Sequence, residues 1–390
     1  MTIDAYAKSL VDGLIFYNFR PKLIKLIGAG AWGKVYSIVF TNNMELIIKT
    51  SESYLANYKE IQNIKRLTQN KQSPYVCYYY GYTTMENNKC VFVSTNKNLK
   101  FVGSLGELPN KVLKKKKING NSLSYFNIIM EKLETSASII RSLNYKKMNT
   151  IYMVSFIIGC LKGIRDISKN KIVHGDIRKL ENIGFIKTNL EYCAPKLLDF
   201  GQIVSSKKLI RNGPNGWTMK TSIRKWRMKW PPEMLGCTNH RIGINMEQYT
   251  DNTCNLDASF AAPNSDIFTF FFGIVLEKLF EIPLQNTNYL IKNNEEYKRI
   301  SKLLYSKIEE NTMADKKFFI NDESRTQFIK KFMYIILDGI ELDYRIRPNA
   351  DDVIIRLYKC LQIYMVQTEV NKIYQPFQKA YIDNLNDKLF

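Results

Sequence analysis

Gly28, Gly30 and Gly33 lie in a stretch that continues into more strand rather than into a helix, and no other feature limits the possible folds as much. The pattern G-x-G-x-x-G often marks a loop running from a strand into a helix, as in dinucleotide-binding folds. Here the glycines are followed by Lys34-Val35-Tyr36-Ser37-Ile38-Val39-Phe40, rich in β-branched and aromatic residues. Asn42-Asn43 reads as a turn, and Glu45-Leu46-Ile47-Ile48-Lys49 as a third strand. The result is a β-hairpin with a glycine tip, then a strand ending in Lys. Glycines lack Cβ, so backbone amides there can approach phosphate oxygens closely.

Composition narrows the classes. A chain of 390 residues has room for one large domain or two ordinary ones. With 45% hydrophobic residues it can fill a core, so disorder does not dominate. Its seven Cys are scattered and form no C-x-x-C, and only His174 and His240 are present. This argues against a disulfide framework or a zinc site and suits a reducing compartment. MTIDAYAKSL lacks the apolar region of a secretory signal, and the longest apolar runs fall short of the ~20 residues a membrane span needs. An intracellular protein, cytoplasmic or nuclear, is expected. The net charge of +21 fits an anionic partner, nucleic acid or acidic protein, but the basic residues are spread widely and compositional drift explains them equally well.

Further along, 54–67 has helical spacing, with Leu55, Tyr58, Ile61, Ile64 and Leu67 on one face and Glu60 beside them. Ser73-Pro74 leads into a fourth strand that Cys90-Val91-Phe92-Val93 continues, and 94–124 is a polar, lysine-rich insert or loop. A fifth strand is read over 126–133 and a long apolar helix over 148–168. Next come His174-Gly175-Asp176, Asn182, a polar turn at 187–191, Leu197-Leu198-Asp199-Phe200-Gly201, and a basic segment at 202–230. Pro231-Pro232-Glu233, a second insert at 236–264, Ser265-Asp266 opening an apolar helix, and Arg345-Ile346-Arg347-Pro348 complete the series.

In this order, over roughly residues 25 to 360, these stretches resemble a diverged eukaryotic-type protein kinase. The resemblance implies an α+β, bilobal fold, with a small β-rich N-lobe (25–130) carrying one main helix and a larger helical C-lobe (134–360). An N-terminal extension at 1–24 and a C-terminal helical extension at 361–390 flank it. It further implies transfer of the γ-phosphate of ATP, with Mg²⁺ or alternatively Mn²⁺, to protein hydroxyls. Gly28, Gly30, Gly33 and Val35 would cover the nucleotide. Lys49, held by Glu60, would meet its phosphates. Met130 would guard the back of the adenine pocket, and the backbone of Glu131 to Leu133 would bond adenine. Asp176 would take the proton of the attacking hydroxyl, and Asn182 and Asp199 would hold the metal. Lys179, or Arg178 by simple counting from Asp176, would sit at the γ-phosphate. Glu233 would pair with Arg347, and Asp266 would bond the catalytic-loop backbone.

The chain departs from the family in several places. Five residues separate Asp176 from Asn182, where the pattern has four. Gly273 falls two residues late in its helix. Gly175 replaces an Arg that in many kinases receives an activation-loop phosphate, which implies activity independent of that modification. The lysine favours Ser/Thr acceptors, while Trp230 and the spacing keep Tyr or dual specificity open. A pseudokinase scaffold, a small-molecule kinase of the aminoglycoside type and a nucleic-acid-binding module are the rival classes.

Overall fold

Alternating apolar residues build an antiparallel sheet in the first third of the chain. The computed structural model describes residues 21–30, 33–41, 43, 45–51, 54–68, 72–86, 89–94, 117–118, 121–122, 126–135, 139, 143–188, 193–200, 204–205, 231–235, 262–283 and 294–386. The strands are β1 (Pro21–Gly30), β2 (Gly33–Phe40), β3 (Glu45–Ser51), β4 (Tyr79–Glu86), β5 (Lys89–Ser94) and, after the two-residue pair β6 (Lys117–Ile118) and β7 (Asn121–Ser122), β8 (Phe126–Glu131). The sheet has six strands in the order β1-β2-β3-β8-β4-β5. Helix α1 (Tyr54–Thr68) contributes Ile61 and Ile64, 3% and 0% exposed. The turn between β2 and β3 closes with the Asn43 amide donating to the Phe40 carbonyl at 2.9 Å. Asn43 takes a φ of 63°, a left-handed value that Asn tolerates.

Two sequence expectations are corrected here. Cys90 to Val93 does not continue the fourth strand but pairs back on it as β5, with Met85 opposite Cys90. The strand expected over 126–133 is therefore the sixth of the sheet, and it ends at Glu131. Periodicity marks a strand but not its partner, which is why the hairpin escaped the sequence reading.

The chain divides into two units. One holds 1–72, 77–133 and 387–390, and the other 73–76 and 134–386. The second is mostly helical, so the architecture is α+β. Its core helix α2 (Thr150–Lys169) buries residues on every side, including Phe156, Ile157 and Leu161 at 0% exposure. Each such side chain contributes about 1.5–3 kcal/mol relative to an exposed one. The helix starts where Asn149 accepts the Tyr152 amide at 2.8 Å and stops at Asn170, followed by Lys171 at a φ of 57°. The chain then forms β9 (Ile172–Val173), a hairpin of β10 (Ile183–Lys187) and β11 (Cys193–Leu197), and β12 (Val204–Ser205), which pairs with β9.

The apolar helix beginning at Ser265 has two parts. Helix α3 (Ser265–Phe270) runs directly into a π-helical segment, Phe271–Leu279. Helices α4 (Asn294–Ala314), α5 (Asp322–Gly339), α6 (Ala350–Tyr364) and α7 (Gln367–Asn386) complete the unit. The boundary expected at 361 falls inside α6, and the break comes after Tyr364, where Met365 takes extended dihedrals. The first strand begins at Pro21, four residues before the expected start of the kinase domain at 25. No described helix is long and apolar enough to cross a membrane. The extension at 1–20, most of the inserts at 94–124 and 236–264, and most of the segment at 202–230, with Gly201, Gln202 and Trp230, lie outside the described residues.

Candidate functional site

The sheet unit carries the expected nucleotide-facing residues. Gly28 lies opposite Val35, and Gly30 opposite Gly33, at the turn end of the β1–β2 hairpin, where 31–32 lie outside the described residues. Val35 is in turn opposite Lys49 on β3. The Lys49 ammonium donates to both carboxylate oxygens of Glu60, at 3.0 and 2.8 Å. Glu60 is buried on α1, so it is no solvated surface acid. A lysine on a strand and a glutamate on the following helix, eleven residues apart, meet only because α1 packs on the sheet.

Met130 is half-buried on β8 opposite Ile47, and Leu133 is buried just after the strand. Glu131 is 1% exposed. Its carboxylate accepts the Tyr78 amide at 2.5 Å, and its own amide donates to the Tyr78 carbonyl at 2.9 Å. The Glu131 N–H is thus committed inside the sheet, which narrows the expected adenine-bonding edge.

In the helical unit the loop from His174 to Asn182 is almost wholly buried. Both oxygens of Asp266 accept backbone amides from it, His174 at 2.6 Å and Gly175 at 2.9 Å. Burial raises the Asp266 carboxyl above its ordinary range, and those two amide bonds oppose the rise. Gly175 has a φ of 76°, a conformation that L side chains rarely adopt, so glycine here has a backbone reason. The His174 Nε2 lies 2.7 Å from the Leu198 carbonyl oxygen. A carbonyl only accepts, so Nε2 carries the proton and Nδ1 receives the Asp176 amide, 3.4 Å away.

Around Asp176 three side chains converge. Arg178 Nε donates to its Oδ1 at 2.5 Å. Asn182 Nδ2 donates to the Asp176 carbonyl at 2.7 Å and to Oδ2 at 3.2 Å. Lys179 Nζ stands 3.6 Å from Oδ2, with a side chain 39% exposed, whereas that of Arg178 is 7% exposed. The loop ends in a single 3₁₀ turn, Leu180–Asn182, closed by the Asn182 amide on the Lys179 carbonyl at 3.1 Å. Asn182 therefore reaches Asp176 despite the longer spacing.

The Leu198 amide donates to the Asn182 carbonyl at 2.8 Å. Leu198 thus ties the end of β11 to the loop through both its polar groups. Asp199 follows, exposed and at a φ of 57°, and Phe200 is fully buried with its ring 4.9 Å from that of His174. Asn182 spends its NH₂ on Asp176, so its amide oxygen is the atom it has for a cation. An amide oxygen and a carboxylate are hard ligands that suit Mg²⁺ or Mn²⁺ completed by phosphate oxygens. Among the described residues no group of three or more His, Cys, Asp and Glu could hold a metal by itself.

Glu233 and Arg347 form the expected pair, at 2.7 and 3.3 Å, with side chains 1% and 0% exposed. Ser265 also donates to Glu233, at 2.7 Å. What sequence reasoning missed is the partner of Arg178. Weighed as a phosphate ligand, it is instead committed to Asp176, and its position two residues after that Asp was the available signal. Compared with known proteins, the chain matches no family model and no curated sequence.

Proposed function

We propose that the protein is an ATP-dependent protein kinase with a bilobal kinase fold, acting on Ser/Thr hydroxyls. The carrying observation is the Asp176 cluster, in which Asn182 closes back on Asp176 across a lengthened loop while Lys179 stands exposed beside Oδ2.

Phosphoryl transfer asks a protein for alignment and charge compensation more than for covalent chemistry. In this reading Lys49, braced by Glu60, orients the α- and β-phosphates beneath the Gly28, Gly30 and Gly33 hairpin. Val35 and Met130 bound the adenine. The Asp176 carboxylate orients the acceptor hydroxyl and takes its proton. Lys179 meets the γ-phosphate, a role its exposure favours over Arg178. Asn182 and Asp199 hold Mg²⁺, which neutralises phosphate charge when bound. The resemblance suggests the protein acceptor, and the lysine suggests its Ser/Thr nature.

The test is transfer of labelled phosphate from Mg-ATP to mixed acceptor proteins, comparing wild type with Asp176→Asn. Loss of a positioned general base should lower kcat by about 10²- to 10⁴-fold. Equal rates in both proteins would replace this reading with a non-catalytic scaffold, and phosphotyrosine among the products would replace its acceptor class.

A further inference from the structure

The π-helical segment Phe271–Leu279 meets the loop at Arg178. A Cβ on Gly273 would lie 2.7 Å from Arg178 Cβ and 2.8 Å from its Cα and carbonyl oxygen. Real Cβ atoms do not approach backbone this closely, so glycine here is required by contact with Arg178. The Phe280 amide returns to the Val275 carbonyl, five residues back, so the widened turn persists to the end of the segment. Helical π turns are rare and occur often at functional sites. The loop carries one residue more than the kinase pattern, the helix presents its glycine two residues late, and that glycine abuts the lengthened loop at Arg178.

We propose that the two departures compensate each other, with Gly273 in the π segment seating the Arg178 backbone and Arg178 in turn fixing the Asp176 carboxylate. Both are positioning residues for phosphoryl transfer, and the proposal rests on the kinase reading above. The chain of contact is short and buried. Gly273 abuts the Arg178 backbone, the Arg178 side chain reaches Asp176 Oδ1 at 2.5 Å, and Asn182 approaches the other oxygen. Arg178 therefore orients one carboxylate oxygen and leaves Oδ2 on the side of Lys179.

Two readouts test this in the full chain. The first is steady-state kinetics of Gly273→Ala, Arg178→Ala and the double variant. A displacement of the loop by about 1 Å should cost about 10²-fold in kcat, with the KM for ATP little changed. The double variant should be no slower than the worse single one, because both act through one contact. The second is hydrogen exchange of the peptide covering 173–182, which should accelerate equally in all three. Gly159→Ala is the control: its Cβ would crowd Tyr381 Oη at 2.6 Å and Pro195 Cγ at 2.9 Å, away from the loop. It should lower thermal stability without changing loop exchange or kcat per folded molecule. Additive losses, or unchanged loop exchange in Gly273→Ala, overturn the proposal. If Gly273→Ala does not fold, Arg178→Met and Arg178→Lys decide: kcat must fall in the first and recover in part in the second, and equal rates overturn it. If the wild type transfers no phosphate, the kinase reading fails while loop exchange still judges the seating of Arg178.

Discussion

Two arginine–carboxylate pairs in the helical unit look alike and behave differently. Glu233 and Arg347 are 1% and 0% exposed, and Arg347 also donates to the Glu341 carbonyl at 2.7 Å, while its guanidinium carbon lies 5.1 Å from the centre of the Phe268 ring. Asp176 and Arg178 are 11% and 7% exposed, and the Asp176 carboxylate also faces Asn182 and the exposed Lys179. The first pair is enclosed and closes a junction between segments 114 residues apart. The second is local, two residues apart, and one of its oxygens remains beside an accessible ammonium. The first pair is sealed, whereas the second keeps an approach, as the kinase reading proposed above would require.

The sharpest way to break this comparison is to remove one partner of each. Glu233→Ala leaves Arg347 charged and buried, which should destabilise the protein by about 3–5 kcal/mol, read from urea unfolding. The folded remainder should keep its kcat. Asp176→Asn should do the reverse, lowering turnover by about 10²- to 10⁴-fold at a smaller cost in stability, and a larger unfolding effect there than at Glu233 would refute the distinction.

A middle case is Lys49 with Glu60, whose side chains are 20% and 5% exposed. A double-mutant cycle with Lys49→Met and Glu60→Gln should give a coupling of about 1 kcal/mol in stability. Both single variants should weaken binding of a fluorescent ATP analogue, and full retention of binding would remove Lys49 from the phosphate role. At an exposed helix start, Asn349→Ala removes the oxygen that accepts the Asp352 amide at 3.0 Å. That cap should be worth about 1 kcal/mol, measured by the shift in urea midpoint, with turnover unaffected. The smallest expected effect is none: combined Thr218, Thr221 and Ser222→Ala should leave transfer unchanged, because Gly175 offers no charge to a phosphate at those positions. Loss of activity in a folded triple variant would refute that expectation.

Motif order alone was enough to single out Lys49, Glu60, Asp176, Asn182, Asp199, Glu233 and Arg347, because each sits in a short run of residue types at a fixed spacing. It also indicated the glycine hairpin, the strand after it and the long helix before His174, since those signals are local: period-2 alternation, a turn at Asn43, apolar residues recurring every three to four positions. Pairing was decided only in three dimensions. The β4–β5 hairpin and the commitment of the Glu131 amide to Tyr78 depend on which surfaces meet, and spacing does not encode that. The extra residue between Asp176 and Asn182 left catalytic geometry open on paper. In three dimensions Asn182 closes on Asp176 after one 3₁₀ turn, and the Arg178 backbone comes so close to Gly273 that no side chain fits there.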